Sequence, residues 1–409
     1  MSIACAPSAG PLRVAPYLGF AGFGAFWGVW GATLPELRAH AQVSDAEFGV
    51  VLLFVAAGAL PAMLLTGRLI DALGLRVAGV LLATLGVMGV VVSLASADHV
   101  ALCVGILLVG ASSGASDVAI NALAATVERR TGRPVVARSH AAFSATVAVS
   151  SLGAGALNAM ADDLLVVFAA GAVVTVPLGL AVAATTRSAP ARDAAAPGGQ
   201  DTPTRPGRAS WPIILLVIGA VGALAFASEN AYQSWGAVLL TDAFTASPAL
   251  AAVAPAAFAT TAAFTRFAAA PFTTRRPLAT LVVACVIATT GGLSTAFAPT
   301  LPPAMTGIVA AAVGTSLLYP TLLSYGLRPV PDESRGRATS AISTVAYLGY
   351  LAGPAYFGLL ADATGVQKAF LGIAALTAVL PAAVPALSAL RRAVAVRPVD
   401  GTPHLTGPR

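Results

Sequence analysis

An acidic side chain, Asp117, interrupts a long apolar run of this sequence. Gly110 and Gly114 precede it and Asn121 follows, at steps of four, three and four residues that share one helix face. Small residues on that face permit close packing, so the acid would point into protein and away from lipid. Burial disfavours a charged carboxylate, so Asp117 with Asn121 is a candidate for proton coupling or substrate binding. The alternative is a structural acid hydrogen-bonded to a neighbouring helix.

A second acid, Glu229, lies within a polar stretch of another apolar run. Gln233 shares its helix face at a spacing of four, and Asn230 adjoins it. We expect these three side chains to bind protons or solute, with Tyr232 and Trp235 as cavity aromatics that stack on a ring. The alternative is an outer helix end that meets interfacial water, with Trp235 in the aromatic belt.

Four further residues carry weaker signals. His140 either titrates near neutral pH or makes a local hydrogen bond. Arg266 either extends to the membrane surface or pairs with an acid as part of a gate. Trp27 and Trp30 either line a cavity or pack within the protein.

The composition indicates which elements must position these groups. Of 409 residues, 57% are hydrophobic and only 10% are charged, with a mean hydropathy of +0.84. Soluble domains carry roughly a quarter charged residues. The chain is therefore predicted to be a multi-pass protein of the lipid bilayer, which excludes a cytosolic enzyme and a secreted disulfide scaffold.

Apolar runs long enough to cross a bilayer recur along the chain. A helix needs about 20 apolar residues to cross ~30 Å of hydrocarbon. Twelve runs meet this need and predict an all-α membrane protein with twelve transmembrane helices: Pro16–Leu37, Glu47–Thr66, Val77–Ser96, Val100–Val127, Ser139–Met160, Leu164–Thr186, Pro212–Leu240, Pro248–Ala270, Leu278–Phe297, Pro303–Leu327, Ala338–Leu360 and Gln367–Leu390.

Basic residues predict the orientation of these helices. Every Lys and Arg except Arg38 and Lys368 falls on the side of the membrane that holds both termini. The positive-inside rule then predicts cytoplasmic termini, in the cytoplasmic membrane of a bacterium.

A Pro-, Arg- and Gly-rich segment divides the chain into similar halves. Trp30-Gly31-Ala32 recurs as Trp235-Gly236-Ala237 at corresponding places in the two halves. The predicted parts are a first six-helix bundle, a cytoplasmic linker, a second six-helix bundle and a cytoplasmic tail, over residues 1–186, 187–210, 211–390 and 391–409.

The loop after the second run carries the most specific motif. Residues 67–76 read GRLIDALGLR, which resembles the signature G-x-L-x-D-x-x-G-x-R/K of the major facilitator superfamily. The resemblance implies the major facilitator fold, with two six-helix pseudo-repeats. It also implies a cytoplasmic gate, in which we place Gly67, Asp71, Gly74, Arg76 and Arg266.

Residues in three helices narrow the resemblance. Asp117 with Asn121, Glu229 ahead of its Trp, and His140 at the start of the fifth run are similar to the fucose permease-like branch. That likeness implies proton-coupled sugar uptake. The branch also has an acid in its first span, and we expect none here, because Gly31 and Ala32 lie at that place.

These observations predict a secondary active transporter. We expect it to move a small organic solute, sugar-like or another polar metabolite, by alternating access and proton symport. Proton-driven efflux of a hydrophobic metabolite or drug is one alternative, and a non-transporting sensor or scaffold is another. No nucleotide-binding loop, metal-ligand cluster or catalytic cluster is apparent, so we expect no cofactor, no nucleic-acid partner and no enzyme activity. We expect a monomer.

Overall fold

The computed structural model describes residues 10–186, 211–328, 330, 335–383, 385 and 388. The predicted linker (187–210) and tail (391–409) lie outside these residues. The helices are α1 (Gly10–Ala41), α2 (Asp45–Leu73), α3 (Arg76–Ala95), α4 (His99–Thr131), α5 (Val135–Ala161), α6 (Leu164–Thr185), α7 (Trp211–Phe244), α8 (Pro248–Ala251), α9 (Val253–Arg275), α10 (Pro277–Ala296), α11 (Leu301–Leu327), α12 (Arg335–Thr364) and α13 (Val366–Val379), with a 3₁₀ turn at Leu380–Ala382.

These helices form twelve spans, because only Ala252 separates α8 from α9. Ten spans in the described part of the chain are long and apolar enough to cross a membrane. The other two are α1, whose Gly and Trp residues lower its hydropathy, and α13, which has 14 residues. The all-α architecture predicted from the apolar runs is confirmed.

Successive spans run in opposite directions, which gives the bundle two ends. We call the end at which α1 begins the N-terminal face, and the end at which α1 finishes the opposite face. Side chains cap helices that begin at the opposite face. Ser44 and Glu47 form a reciprocal capping box at the start of α2, and Asp98 accepts the backbone N–H of Ala101 at the start of α4.

The same helix pairings recur in both halves of the molecule. α1 packs on α5, α2 on α4 and α3 on α6, and in the second half α7 packs on α12, α9 on α11 and α10 on α13. Glycine permits these close contacts. A Cβ on Gly110 of α4 would collide with the carbonyl oxygen of Val55 in α2, and one on Gly349 of α12 would collide with that of Ala223 in α7.

The two halves touch through α2 with α12, α5 with α8 and α9, and α1 with α7. Several of these contacts lie toward the opposite face. Gly49 near the start of α2 packs against Gly358 near the end of α12, and Ser151 of α5 donates to the carbonyl oxygen of Ala252 at 2.9 Å. Between the halves lies a cavity.

Candidate functional site

The cavity between the halves has a volume of about 300 Å³ and walls from both. Helices α1, α2, α4 and α5 form one wall, and α7, α9 and α12 form the other. The lining is mostly apolar and aromatic, with few polar groups. Its aromatic residues are Phe23, Trp27, Trp30, Phe143, Phe226, Phe258, Tyr347 and Tyr350.

Asp117 lies on the first-half wall of the cavity, as the sequence suggested. Asn121, one turn further along α4, donates from Nδ2 to Asp117 Oδ1 at 3.0 Å and to its backbone carbonyl at 2.9 Å. Asn121 itself is not among the lining residues. In the described part of the chain Asp117 has no basic partner, so its carboxyl group faces the cavity with one amide as its neighbour.

Glu229 lies on the second-half wall and is paired with a basic residue. Arg266 of α9 donates from one terminal nitrogen to Glu229 Oε1 at 2.6 Å, and from Nε to the carbonyl oxygen of Ser316 at 3.1 Å. The Glu229 side chain is only 6% exposed, whereas that of Arg266 is 45% exposed and reaches the cavity. This pair neutralises the charge of the second-half wall.

Hydrogen bonds extend this pair along α7 to α12. Gln233 Nε2 donates to Glu229 Oε1 at 3.2 Å, and the Tyr350 hydroxyl donates to Gln233 Oε1 at 3.4 Å. Asn230 Nδ2 donates to the Tyr350 carbonyl oxygen at 2.8 Å. The polar stretch of α7 therefore faces the cavity and the neighbouring helix, rather than interfacial water.

The four predicted cavity aromatics divide into two pairs. Trp27 and Trp30 line the cavity, with ring centroids 6.1 Å apart. The prediction for Tyr232 and Trp235 is wrong in this structure, because the described lining includes neither ring.

Both rings pack inside the protein. Tyr232 stacks on Phe258, and Trp235 is fully buried between Phe48 and Phe357. Burial of Trp235 also excludes the aromatic-belt alternative for this part of α7. The two rings lie on a face of α7 that turns away from the solute space.

His140 lies beside the cavity rather than in its described lining. Its ring packs edge-on against Phe20 with centroids 4.7 Å apart. The described contact of His140 is therefore a ring contact with Phe20, which differs from the local hydrogen bond given as the alternative.

The predicted gate loop connects α2 to α3 at the N-terminal face. Gly74 has a φ of +78°, which suits glycine, and its N–H closes α2 on the Ile70 carbonyl oxygen. Arg76 Nε donates to the Leu73 carbonyl oxygen at 3.1 Å. Asp71 is exposed and makes no hydrogen bond or ion pair within the described ranges.

Gly67 also has open space around it. Among the described residues, which leave out 331–334, these four loop residues make no hydrogen bond or ion pair with the second half. The structure separates Arg266 from them, because its partner is Glu229 in the cavity wall. Of the two alternatives for Arg266, the pairing with an acid is the one that the structure contains, but its acid lies in the cavity wall and not in the loop.

An ion cluster at the opposite face was not predicted from the sequence. Arg38 at the end of α1 contacts Asp45 at the start of α2 and pairs with Asp242 near the end of α7 at 2.6 Å. We call Arg38, Asp45 and Asp242 the Arg38 clasp, because it joins the two halves. The indication in the sequence was Arg38 itself, because few basic residues are predicted on the side of the membrane away from the termini.

A correction concerns acids in the first span. The prediction of no acid there was wrong, because α1 contains Glu36, five residues beyond Gly31. Its Oε2 atom is buried and has no hydrogen-bond partner within the described residues. Glu36 lies toward the opposite face and is not among the residues of the cavity.

Comparisons with known proteins bear on this architecture. The family model described as Major Facilitator Superfamily matches residues 218–405. A solved bacterial homologue of the human lysosomal transporter Spinster, in an inward-facing, occupied conformation, superposes with a TM-score of 0.72 at 16% identity, over 94% of this chain and 98% of its own. The chain has the major facilitator fold.

Other relatives agree with this assignment. The nucleoside transporter NupG superposes with a TM-score of 0.69 at 15% identity, over 92% of this chain and 99% of its own. An uncharacterised transporter of Sinorhizobium fredii, y4wD, is 27% identical over 90% of this chain and 96% of its own. These findings show that the chain is similar over most of its length to transporters, and over residues 218–405 to the Major Facilitator Superfamily model.

Proposed function

We propose that this protein is a secondary transporter that couples movement of a small organic solute to protonation of Asp117. It works by alternating access across the cytoplasmic membrane. The proposal rests on one observation above all. A carboxyl group without a basic partner among the described residues lies on the wall of a cavity that both halves enclose.

The coupling follows from the physical chemistry of that carboxyl group. A charged carboxylate in an apolar surrounding costs several kcal/mol, so Asp117 takes a proton or another cation when water is withdrawn. When the cavity opens to water, the charged form becomes stable and the proton leaves. Such a change is a direct route by which a proton gradient biases the movement of two packed halves.

The conformation and the positive-inside rule together suggest the side to which the cavity opens. The Arg38 clasp and the hydrogen bond of Ser151 hold the halves together toward the opposite face. Within the described residues, the gate loop at the N-terminal face makes no hydrogen bond or ion pair with the second half. With cytoplasmic termini, this conformation is inward-open, and outward opening requires the clasp to break.

The lining supports a solute that presents a ring as well as polar groups. Aromatic side chains from both halves can stack on a ring, while Asn230, Gln233 and Ser234 offer hydrogen bonds. A polar, sugar-like metabolite taken up by symport fits these groups. Efflux of a hydrophobic metabolite is a second candidate, which the number of aromatic lining residues favours.

Transport into proteoliposomes under a pH gradient tests the proposal. Purified protein is reconstituted, a solute panel is screened for accumulation, and the gradient is collapsed with a protonophore. The active solute is then used with Asp117→Asn. We expect gradient-driven accumulation to fall by about a hundredfold, as when a group acting in proton transfer is removed.

Asp98→Asn is the matched control, because it makes the same chemical change at the start of the same helix. Asn caps a helix as well as Asp does, so accumulation should be retained. Gradient-driven accumulation that survives Asp117→Asn would refute proton coupling at this residue.

A further inference from the structure

The two walls of the cavity differ in their balance of charge. On the second-half wall the carboxylate of Glu229 and the guanidinium of Arg266 lie 2.6 Å apart, and together they carry no net charge. Gln233 donates a further hydrogen bond to Glu229, and the Ser316 carbonyl oxygen accepts one from Arg266. A solute on this wall meets a surface without net charge, whose polar groups offer hydrogen bonds only.

The first-half wall carries one acid without a counter-charge. Asp117 has only the amide of Asn121 as a hydrogen-bond partner within the described ranges. The charged and titratable groups around it are Glu229, Arg266, Tyr347 and Tyr350 across the cavity and His140 on α5. Tyrosine is neutral at pH 7, His140 packs on Phe20 outside the lining, and Arg266 is committed to Glu229.

We propose, building on the proposed transport function, that the solute carries one positive charge, an ammonium group, and replaces the proton on Asp117. The open cavity then holds a net charge of −1 when Asp117 is ionised, and a monocation or a proton restores neutrality. A neutral solute leaves the charge uncompensated, and an anion doubles the imbalance. The aromatic rings of both walls then contact the remainder of the solute.

Occupancy by proton and ammonium is mutually exclusive at one carboxylate. Where Asp117 is protonated, binding of the ammonium group releases that proton to the water on the side that the cavity faces. After the cavity has reopened to the other side, a proton from that side displaces the ammonium group into the water there. Transport by this scheme exchanges one proton for one monocation and moves no net charge, which favours proton-driven efflux of the cation over symport.

Binding to the purified full-length chain tests the charge class directly, with small probes of known charge. Two matched sets of probes differ mainly in charge: glucosamine, glucose and glucuronate, and benzyltrimethylammonium, benzyl alcohol and benzoate. Quenching of tryptophan fluorescence, to which the cavity residues Trp27 and Trp30 contribute, reports binding, and a pH indicator in weakly buffered solution reports proton release. We expect saturable binding and proton release with a cationic member only.

Changes of pH and substitutions at Asp117 should each alter the affinity for the cation by a stated amount. Protons compete with the cation for Asp117. Once Asp117 is protonated, each further unit by which the pH falls should therefore raise the apparent Kd of the cation about tenfold. Asp117→Asn should weaken cation binding more than about thirtyfold and remove this pH dependence. Asp117→Glu should keep the preference for cations, and Asp98→Asn should bind as the unmodified protein does.

Each other outcome overturns the inference. Tighter binding of a neutral or anionic probe overturns it. Cation binding that Asp117→Asn leaves unchanged also overturns it, and so does the absence of binding by all six probes. The transport assay separates this failure from that of the proposed function. Asp117-dependent, gradient-driven accumulation of a neutral or anionic solute refutes only the charge class. Cation binding with proton release but without gradient-driven flux refutes only the transport function.

Discussion

Two acids of similar position along their helices have different surroundings, and this difference sets their roles. Glu229 is held by Arg266 at 2.6 Å, so the negative charge of its carboxylate is compensated. Asp117 has a single amide neighbour in the described structure. We therefore assign the exchangeable proton to Asp117 and a positioning role to the Glu229–Arg266 pair, which orders Gln233 and the second-half wall.

The pair makes a prediction at the residue scale. Glu229→Gln leaves the guanidinium of Arg266 without its counter-charge beside an apolar wall, so it should lower the thermal unfolding temperature in detergent. Arg266→Gln in the same chain should restore part of the loss. A double-mutant cycle should give a coupling of about 1 kcal/mol, since the exposure of Arg266 to cavity water screens the interaction. Additive effects of the two substitutions would contradict the pairing.

Sequence reasoning found both acids because charge inside an apolar run is costly and therefore conspicuous. It could not find the partner of Glu229, since Arg266 lies on another helix and the contact depends on how the two helices rotate. Tyr232 and Trp235 were misplaced because they stand among the polar residues in the sequence. Helical spacing puts them on the face of α7 away from Glu229 and Gln233, and the structure buries them there.

At the scale of elements, the helix extents were predictable and the helix pairings were not. A span must carry about 20 apolar residues, which fixes its place in the sequence. The pairing of α2 with α4 instead depends on where backbones approach closely. Gly110 marks one such place, because any side chain there would meet the carbonyl oxygen of Val55.

This close approach predicts the effect of a single methyl group. Gly110→Ala should destabilise the protein by about 1–3 kcal/mol, because the backbones of α2 and α4 must separate. Gly153→Ala makes the same substitution in α5, where open space surrounds the new Cβ, and should not lower stability. Thermal unfolding in detergent compares the two variants. Equal stability of both would show that the α2–α4 contact is not as close as described.

At the scale of the whole molecule, the two halves repeat their helix pairings but not their chemistry. Trp30 lines the cavity, whereas Trp235, at the corresponding place in the second half, is buried against Phe48. The two halves therefore share their helix packing, and the residues that differ between them determine the lining of the cavity. The Arg38 clasp belongs to this scale, since it fixes which end of the molecule is closed.

Removal of the clasp should shift the balance between conformations. Arg38→Gln loses both ion contacts, which are partly exposed and worth about 1 kcal/mol, so the closed population at the opposite face should fall roughly fivefold relative to the open one. Spin labels at Ala39→Cys and Ala243→Cys, in a chain without its native cysteines, report the separation of α1 and α7 by pulsed electron resonance. We expect a new population at longer distance.

Lys368→Gln removes the other basic residue predicted on that side and serves as the control. It should leave the distance distribution unchanged. An unchanged distribution with Arg38→Gln as well would show that the clasp does not hold the opposite face closed.

Asp117 must gain and lose a proton through the cavity if it couples transport to a proton gradient. Infrared difference spectra of the membrane-embedded protein, taken between acidic and alkaline buffer, detect the carbonyl stretch of a protonated carboxyl group. We expect a band that appears on acidification in the unmodified chain and in Asp98→Asn and is absent from Asp117→Asn. A band of unchanged intensity in Asp117→Asn would place the exchangeable proton elsewhere and contradict the mechanism.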